Sequence, residues 1–151
     1  MTADATETRP GSDDCVFCAV RDGHDRINHV LLQEAKTMAV LNLSMISPGH
    51  VLVLPTKHVE RLDQLSPEEV TTLWQTVVRV REAITTTLEP AGFVFIQNEG
   101  PDYLSEPHLH VHVVPRYPDD GLRDMWDGER PASGDQELRR IAHLLAPALD
   151  R

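Results

Sequence analysis

The chain of 151 residues is 40% hydrophobic and 25% charged, a length and composition typical of one globular domain with its own apolar core. Its 24 acidic and 14 basic residues give a formal net charge of -10, which disfavours nucleic acid polymers because these are bound through lysine and arginine. No apolar run approaches the roughly 20 residues that cross a bilayer, and the polar residues 1–14 lack the apolar segment of a signal peptide. We therefore expect a cytoplasmic protein without nucleic acid polymer or membrane partners. Its predicted organisation is a disordered acidic tail over residues 1–14 and a single domain over residues 15–151, divided into a core over 15–116 and a C-terminal loop and helix over 117–151.

The first chemical feature along the sequence is a C-x-x-C pair, Cys15 and Cys18, which are its only cysteines. Without a secretion signal a structural disulfide is not expected, so a redox pair and half of a zinc site both remain open. A short helical turn is predicted over residues 15–20, and two strands follow over residues 29–34 and 37–41.

A further strand and a long helix come next. The branched, apolar run over residues 50–55 predicts a buried strand. Ser66 is a suitable helix N-cap, Pro67 suits the first helical position, and Glu69 completes a capping box. Apolar residues then recur at helical spacing until just before Pro90; they are Val70, Leu73, Trp74, Val77, Val78, Ile84 and Leu88. We expect Trp74 to pack in the core against the sheet.

The C-terminal half repeats the order of strand and helix. Strands are predicted over residues 93–97 and 108–116, with a turn at 98–101 between them, and a second helix over residues 136–149. Residues 117–135 show little periodicity. Strands, helix, strands and helix in this order predict an α+β domain with an antiparallel sheet of about five strands.

Three histidines occupy alternate positions of the last predicted strand, His108, His110 and His112. Because successive side chains of a strand point to opposite faces, Leu109 and Val111 enter a core while the imidazoles share the other face. Imidazole acts near neutral pH as a nucleophile, proton carrier or metal ligand, so this row predicts a chemical site. Two alternatives remain open: a solvent-facing strand whose polar positions happen to be histidine, and three ligands of one catalytic metal.

The pattern His-φ-His-φ-His-φ-φ over residues 108–114, with φ apolar, resembles the signature of the histidine triad (HIT) family of nucleotide hydrolases and transferases. Residues 48–55 and the turn containing Asn98 and Gly100 resemble two further family segments, in the same order. The resemblance covers residues 15–116. It implies a HIT-like fold with one long helix and a C-terminal helix, and a sheet that extends across a homodimer.

The resemblance also implies an activity, because residues 42–69 look closest to the fragile-histidine-triad branch, which cleaves dinucleoside polyphosphates. In the family the middle histidine, here His110, attacks phosphorus and forms a nucleotidyl-histidine that water hydrolyses. The substrate is expected to be a dinucleoside polyphosphate or a nucleoside phosphoramidate, cleaved at the α-phosphate. Further positions that the resemblance places at the nucleotide are Asn42 at the ribose hydroxyls, His50, Asn98, Ser105 on the phosphate and His112 on its oxygens.

Two residues depart from the family pattern. The position before Ser105 is usually glutamine in active branches and is Leu104 here, and the position before that is commonly glycine and is Tyr103. Leucine can neither donate nor accept a hydrogen bond, so help for the leaving group is in question. The alternatives are a nucleotide-binding or sensor module with little turnover, and a phosphorylase that uses phosphate instead of water.

Several prokaryotic members of the family hold a zinc ion, and this sequence offers the same four ligands: Cys15, Cys18, His58 and His108. The resemblance thus implies a structural zinc with no open coordination position, and no catalytic metal. His58 also fits an exposed loop histidine. The histidines expected at the surface are His24, His29 and His143. Residues 117–135 are interpreted either as a solvated acidic loop or as a segment that crosses into the neighbouring active site with Met125 or Trp126 near the base.

Overall fold

The computed structural model describes residues 14–24, 29–103, 106–122 and 131–150. Within these ranges the helices are α1 (Val16–Arg21), α2 (Pro67–Leu88) and α3 (Asp135–Leu149). The strands are β1 (Val30–Gln33), β2 (Thr37–Leu41), β3 (Val51–Pro55), β4 (Gly92–Gln97) and β5 (Val111–Arg116). None of the described helices combines the length and apolar character needed to cross a membrane. The predicted tail falls almost entirely outside the described residues.

The five strands form one antiparallel sheet in the order β1-β2-β3-β5-β4, which confirms the predicted fold class. β5 lies inside the sheet, because Val113 is opposite Val51 of β3 and opposite Phe95 of β4. β4 is an edge strand. The strand that contains His112 is therefore held on both sides.

Each face of the sheet has its own apolar core. On one face α2 and α3 cover a large cluster that includes Leu109, Val111 and Val113. On the other face α1 covers a smaller cluster; its members are Cys15, Phe17, Cys18, Val20, Met38, Val40, Leu52 and Leu54. The predicted alternation is confirmed, since the apolar residues between the histidines face the helices.

The paired part of β5 is shorter than the predicted strand over residues 108–116. The ladder begins at Val111, which is opposite Val53 of β3 and Gln97 of β4. The pairing of β5 with both neighbouring strands stops at Val111, so His108 and His110 precede the paired part of the strand. Leu109 N–H donates to the carbonyl of Val59 at 2.6 Å, which holds this segment outside the sheet.

α2 begins as the sequence predicts and buries a narrower stripe than expected. Ser66 Oγ accepts from Glu69 N–H at 3.1 Å and Glu69 Oε2 accepts from Ser66 N–H at 2.8 Å, a complete capping box. The prediction that Trp74 lies in the core is wrong, since its exposed fraction is 39%. Trp74 is rotated by roughly 100° around the helix from the buried Leu73, which places it on the flank of the buried stripe.

Candidate active site and metal centre

The three triad histidines share one face but have different partners. His108 lies beside the two cysteines, His110 contacts the backbone, and His112 contacts His50. Among the described residues one group of side chains could hold a metal ion, and it contains His108 but neither His110 nor His112. The hypothesis of one catalytic metal held by all three histidines is therefore not supported.

The metal-binding group consists of the residues that the sequence predicted: Cys15, Cys18, His58 and His108. Their ligand atoms all lie within 4.8 Å of one another. His108 Nδ1 is 3.3 Å from Cys15 Sγ and 3.7 Å from Cys18 Sγ, and Cys18 Sγ is 3.3 Å from His58 Nδ1. Tetrahedral zinc with bonds of about 2.3 Å to sulfur and about 2.05 Å to nitrogen separates these atoms by about 3.6 Å. The group fits a closed metal site.

The surroundings of this group determine which of its ligand atoms carry protons. His108 Nε2–H donates to the carbonyl of Pro55 at 2.8 Å, which leaves the Nδ1 lone pair directed at the sulfurs. Burial lowers the pKa of His108 to about 4, so its imidazole is neutral at pH 7. Burial, together with the hydrogen bond to Cys15, raises the pKa of Cys18 to about 11. A bound metal ion reverses that preference, because a coordinating thiol is deprotonated.

His110 is held in one tautomer by the backbone of its neighbour. Its Nδ1–H donates to the carbonyl oxygen of His108 at 2.7 Å. A neutral imidazole carries one proton, so Nε2 has a free lone pair. Burial lowers the pKa of His110, which keeps the ring neutral. The residue is 3% exposed, and the ring of Phe17 lies against its ring with centroids 5.3 Å apart.

His50 determines the tautomer of His112 through a short series of hydrogen bonds. The backbone N–H of Ile46 donates to His50 Nδ1 at 3.1 Å, so this nitrogen carries no proton and Nε2 does. His50 Nε2 is 3.0 Å from His112 Nδ1, which must accept. The proton of neutral His112 is then on Nε2. Burial and the nearby His110 lower the pKa of His112 to about 4 and keep the ring neutral.

The arrangement places a nucleophilic nitrogen beside a hydrogen-bond donor. The rings of His110 and His112 are 4.9 Å apart between centroids, at an interplanar angle of 62°. One presents an Nε2 lone pair and the other an Nε2–H. This combination suits attack at a centre whose attached oxygens gain negative charge.

The other predicted nucleotide contacts are only partly placed. Asn42 follows β2, and its Oδ1 accepts from Ser44 N–H at 2.9 Å. Its Nδ2 lies 3.4 Å from His50 Nε2, which is a contact and not a hydrogen bond in the tautomer that Ile46 N–H selects, because both nitrogens then carry protons. Asn98 is half-buried in the turn after β4, and its carbonyl accepts from the Gln97 side chain at 2.9 Å. Ser105 lies outside the described residues, as do Leu104, Met125 and Trp126. The neighbouring Tyr103 is 75% exposed.

Sequence reasoning missed Phe17. Its ring contacts both His108 and His110, at centroid distances of 5.7 and 5.3 Å. The only available signal was its place between the two cysteines, which brings any apolar residue there under the sheet. Of the histidines expected at the surface, His24 and His143 are exposed and His29 is half-buried.

Comparison with known proteins agrees with this geometry. The HIT domain family matches residues 25–119. A bis(5'-nucleosyl)-tetraphosphatase (asymmetrical) of Schizosaccharomyces pombe is 37% identical over 90 residues, which cover 59% of this chain and 50% of the relative. A bis(5'-adenosyl)-triphosphatase of Dictyostelium discoideum is 26% identical over 131 residues, covering 83% of this chain and 88% of the relative. The crystal structure of a Zn-bound histidine triad family protein from Mycobacterium smegmatis superimposes with a TM-score of 0.77 at 29% identity, covering 93% of this chain and 96% of that protein. The chain therefore belongs to the HIT family.

Proposed function

We propose that the protein hydrolyses or transfers a nucleotidyl group at the α-phosphate of a dinucleoside polyphosphate or a nucleoside phosphoramidate. One observation carries this proposal: His110 Nδ1–H is bonded to the His108 carbonyl at 2.7 Å, which leaves Nε2 of a neutral ring as the nucleophile. Two hydrolases of dinucleoside polyphosphates among the similar proteins support the substrate class.

The proposed reaction has two steps. The Nε2 lone pair of His110 attacks the α-phosphorus and a P–N bond forms, while the bond from phosphorus to the leaving group breaks. A leaving oxygen departs with the bonding electrons as a nucleotide anion, and a leaving nitrogen takes up a proton from solvent and departs as the amine. Water then attacks the nucleotidyl-histidine and gives a proton to solvent, the bond from phosphorus to His110 breaks, and the nucleoside monophosphate is released with His110 neutral again. The His108 carbonyl stabilises the cationic ring of the intermediate, because its hydrogen bond to Nδ1–H becomes charge-assisted.

His112 is the proposed electrostatic partner of this step. Its Nε2–H donates to a non-bridging phosphate oxygen and stabilises the charge that develops there. His50 maintains this tautomer, since its own Nε2–H occupies His112 Nδ1 at 3.0 Å. By the family resemblance we also assign Asn42 to the ribose, and Asn98 and Ser105 to the nucleotide and its phosphate.

We propose zinc as the ion of the metal site, with a structural role. Two thiolates and two imidazoles form the donor set that zinc prefers, and four protein ligands leave no position for substrate. The similar Zn-bound protein supports this identity. Because neither cysteine is in a disulfide, we place the protein in a reducing compartment, the cytoplasm.

The test is intact-mass measurement during incubation with diadenosine tetraphosphate and, separately, with adenosine phosphoramidate. We expect a transient increase equal to one bound AMP and release of AMP, both lost in His110→Ala. A His143→Ala control removes an exposed histidine of α3 and should behave as the wild type. Equal AMP release by wild type and His110→Ala would refute the assignment.

The same experiment separates the two alternatives. Added phosphate that yields ADP in place of AMP would indicate a phosphorylase. Tight nucleotide binding without AMP release over hours would indicate a sensor module, the outcome that Leu104 and Tyr103 favour.

A homodimer is the proposed assembly. Among the described strands β4 pairs only with β5, so its other edge faces outward. One face of α2 lies next to this edge, because Arg81 of α2 is 5.2 Å from the ring of Phe93 in β4. The exposed side chains of Trp74 and Val78 share that helix face, so an apolar surface adjoins the unpaired edge. We expect Val78→Lys to yield a monomer in size-exclusion chromatography with light scattering. Val16→Lys, at an exposed valine of α1, is the matched control.

A further inference from the structure

A residue beyond the family match is bonded to the loop beside the candidate active site. Ser133 N–H donates to the carbonyl of Leu43 at 2.7 Å. Ser133 Oγ accepts from Met45 N–H at 3.0 Å. One residue thus satisfies a donor and an acceptor of the loop, and it lies outside residues 25–119, which the family match covers.

The loop that Ser133 binds is the one that orients His50. The next residue after Met45 is Ile46, whose N–H donates to His50 Nδ1 at 3.1 Å. This bond fixes the proton of His50 on Nε2, and through it the proton of His112 on its own Nε2. A displacement of the Ile46 amide would release both tautomers.

Ser133 is itself held by a well-packed element. α3 begins at Asp135, and its residues Leu138 and Ile141 are 4% and 0% exposed in the main core. The N-terminus of α3 is therefore held in place by the core, and the two hydrogen bonds of Ser133 attach the loop to it.

We propose that Ser133 is a positioning residue that keeps His112 in its donor tautomer through Met45, Ile46 and His50. The inference rests on the proposed function for its effect on turnover, but its effect on the two imidazoles is independent of substrate. The ribose contact is less affected, because Asn42 N–H is bonded to the His50 carbonyl at 3.0 Å at the end of the sheet.

The test compares Ser133→Ala with Ser133→Thr in the full-length, zinc-loaded protein. Thr72→Ala, which removes a side-chain hydrogen bond of 3.0 Å to the Glu68 carbonyl on α2, is the control. In Ser133→Ala we expect exchange of the Ile46 amide to be faster by about fivefold, the effect of one lost hydrogen bond. The ¹⁵N shifts of His50 and His112 should change from single tautomers to averaged values.

With diadenosine tetraphosphate as the probe, kcat should fall about 5- to 10-fold in Ser133→Ala while KM stays within about twofold. Ser133→Thr, which retains the hydroxyl, should restore the shifts and kcat, and Thr72→Ala should change neither. Unchanged imidazole shifts and kcat in Ser133→Ala would overturn the inference. Altered shifts in a protein whose wild type releases no AMP from either substrate would support the positioning role and overturn the proposed function instead.

Discussion

Acid should destabilise the protein partly through the half-buried imidazole of His112. Burial and the neighbouring His110 lower the pKa of this ring to about 4, whereas in the unfolded state it titrates near ~6.5. The unfolded state therefore takes up the proton first as the pH falls. The contribution of His112 is complete above pH ~6.5 and is lost progressively down to pH ~4.

The size of this effect follows from the two pKa values. One pKa unit corresponds to about 1.36 kcal/mol. Because the native ring stays neutral at pH 5 while the unfolded ring is protonated, the free energy of unfolding at pH 5 is about 2 kcal/mol lower than at pH ~7.5. Below pH ~4 the native ring is protonated as well, and the loss of free energy of unfolding levels off at about 3 kcal/mol.

The assay is urea unfolding of the zinc-loaded protein at pH ~7.5 and ~5.0. Between these two pH values the free energy of unfolding of the wild type should fall by about 2 kcal/mol more than that of His112→Gln. The amide oxygen of the glutamine can still accept the His50 Nε2–H bond. Metal loss in acid affects both proteins and cancels in the difference. His143→Gln, at an exposed position of α3, should match the wild type. An equal loss in wild type and His112→Gln would refute the reasoning, since it would show that the native ring accepts a proton as readily as the unfolded one.

Three further predictions concern single positions. Gly49 has a φ of +93° and an added Cβ would lie 2.6 Å from Leu88 Cδ1, so Gly49→Ala should lower the free energy of unfolding. We expect a loss of about 2–3 kcal/mol by urea titration, and a loss below about 0.5 kcal/mol would contradict the argument from the positive φ and the close approach to Leu88. Thr76→Val leaves the buried Thr37 hydroxyl without its 2.8 Å partner. By the same titration it should lower the free energy of unfolding by about 1–2 kcal/mol, and Thr76→Ser, which keeps the hydroxyl, should avoid most of this loss. Cys18→Ser should weaken zinc binding by more than the about 10–100-fold that outer-shell changes cost, measured by competition with a chelator, and unchanged affinity would remove Cys18 from the site.

The sequence predicted local structure well because local structure depends on the spacing of residues along the chain. The capping box at Ser66 and the alternation of His108, Leu109 and His110 follow from residues that are neighbours in the sequence. The four ligands of the metal group were found through the family resemblance, and the structure brings them together. The α+β class followed from the order of the elements.

Features that depend on the tertiary arrangement were not predictable. Helical spacing places Trp74 near the apolar stripe, but the width of the covered stripe depends on what packs beside α2, and within the described residues Trp74 and Val78 remain exposed. The 3.0 Å contact between His50 and His112 joins residues 62 positions apart. The two bonds of Ser133 to the loop before His50 likewise have no sequence pattern. These contacts decide the protonation state of the site.

His108 links the candidate metal group to the proposed nucleophile, His110, because its side chain and its backbone contact different partners. Its imidazole belongs to the metal-binding group, whereas its carbonyl oxygen accepts the Nδ1–H of His110 at 2.7 Å. Because the ladder of β5 begins only at Val111, strand pairing alone does not fix that carbonyl. The metal ligands, the Pro55 carbonyl and the Val59 carbonyl fix it instead. A metal ion held by this group would therefore also help to hold the carbonyl that sets the tautomer of His110.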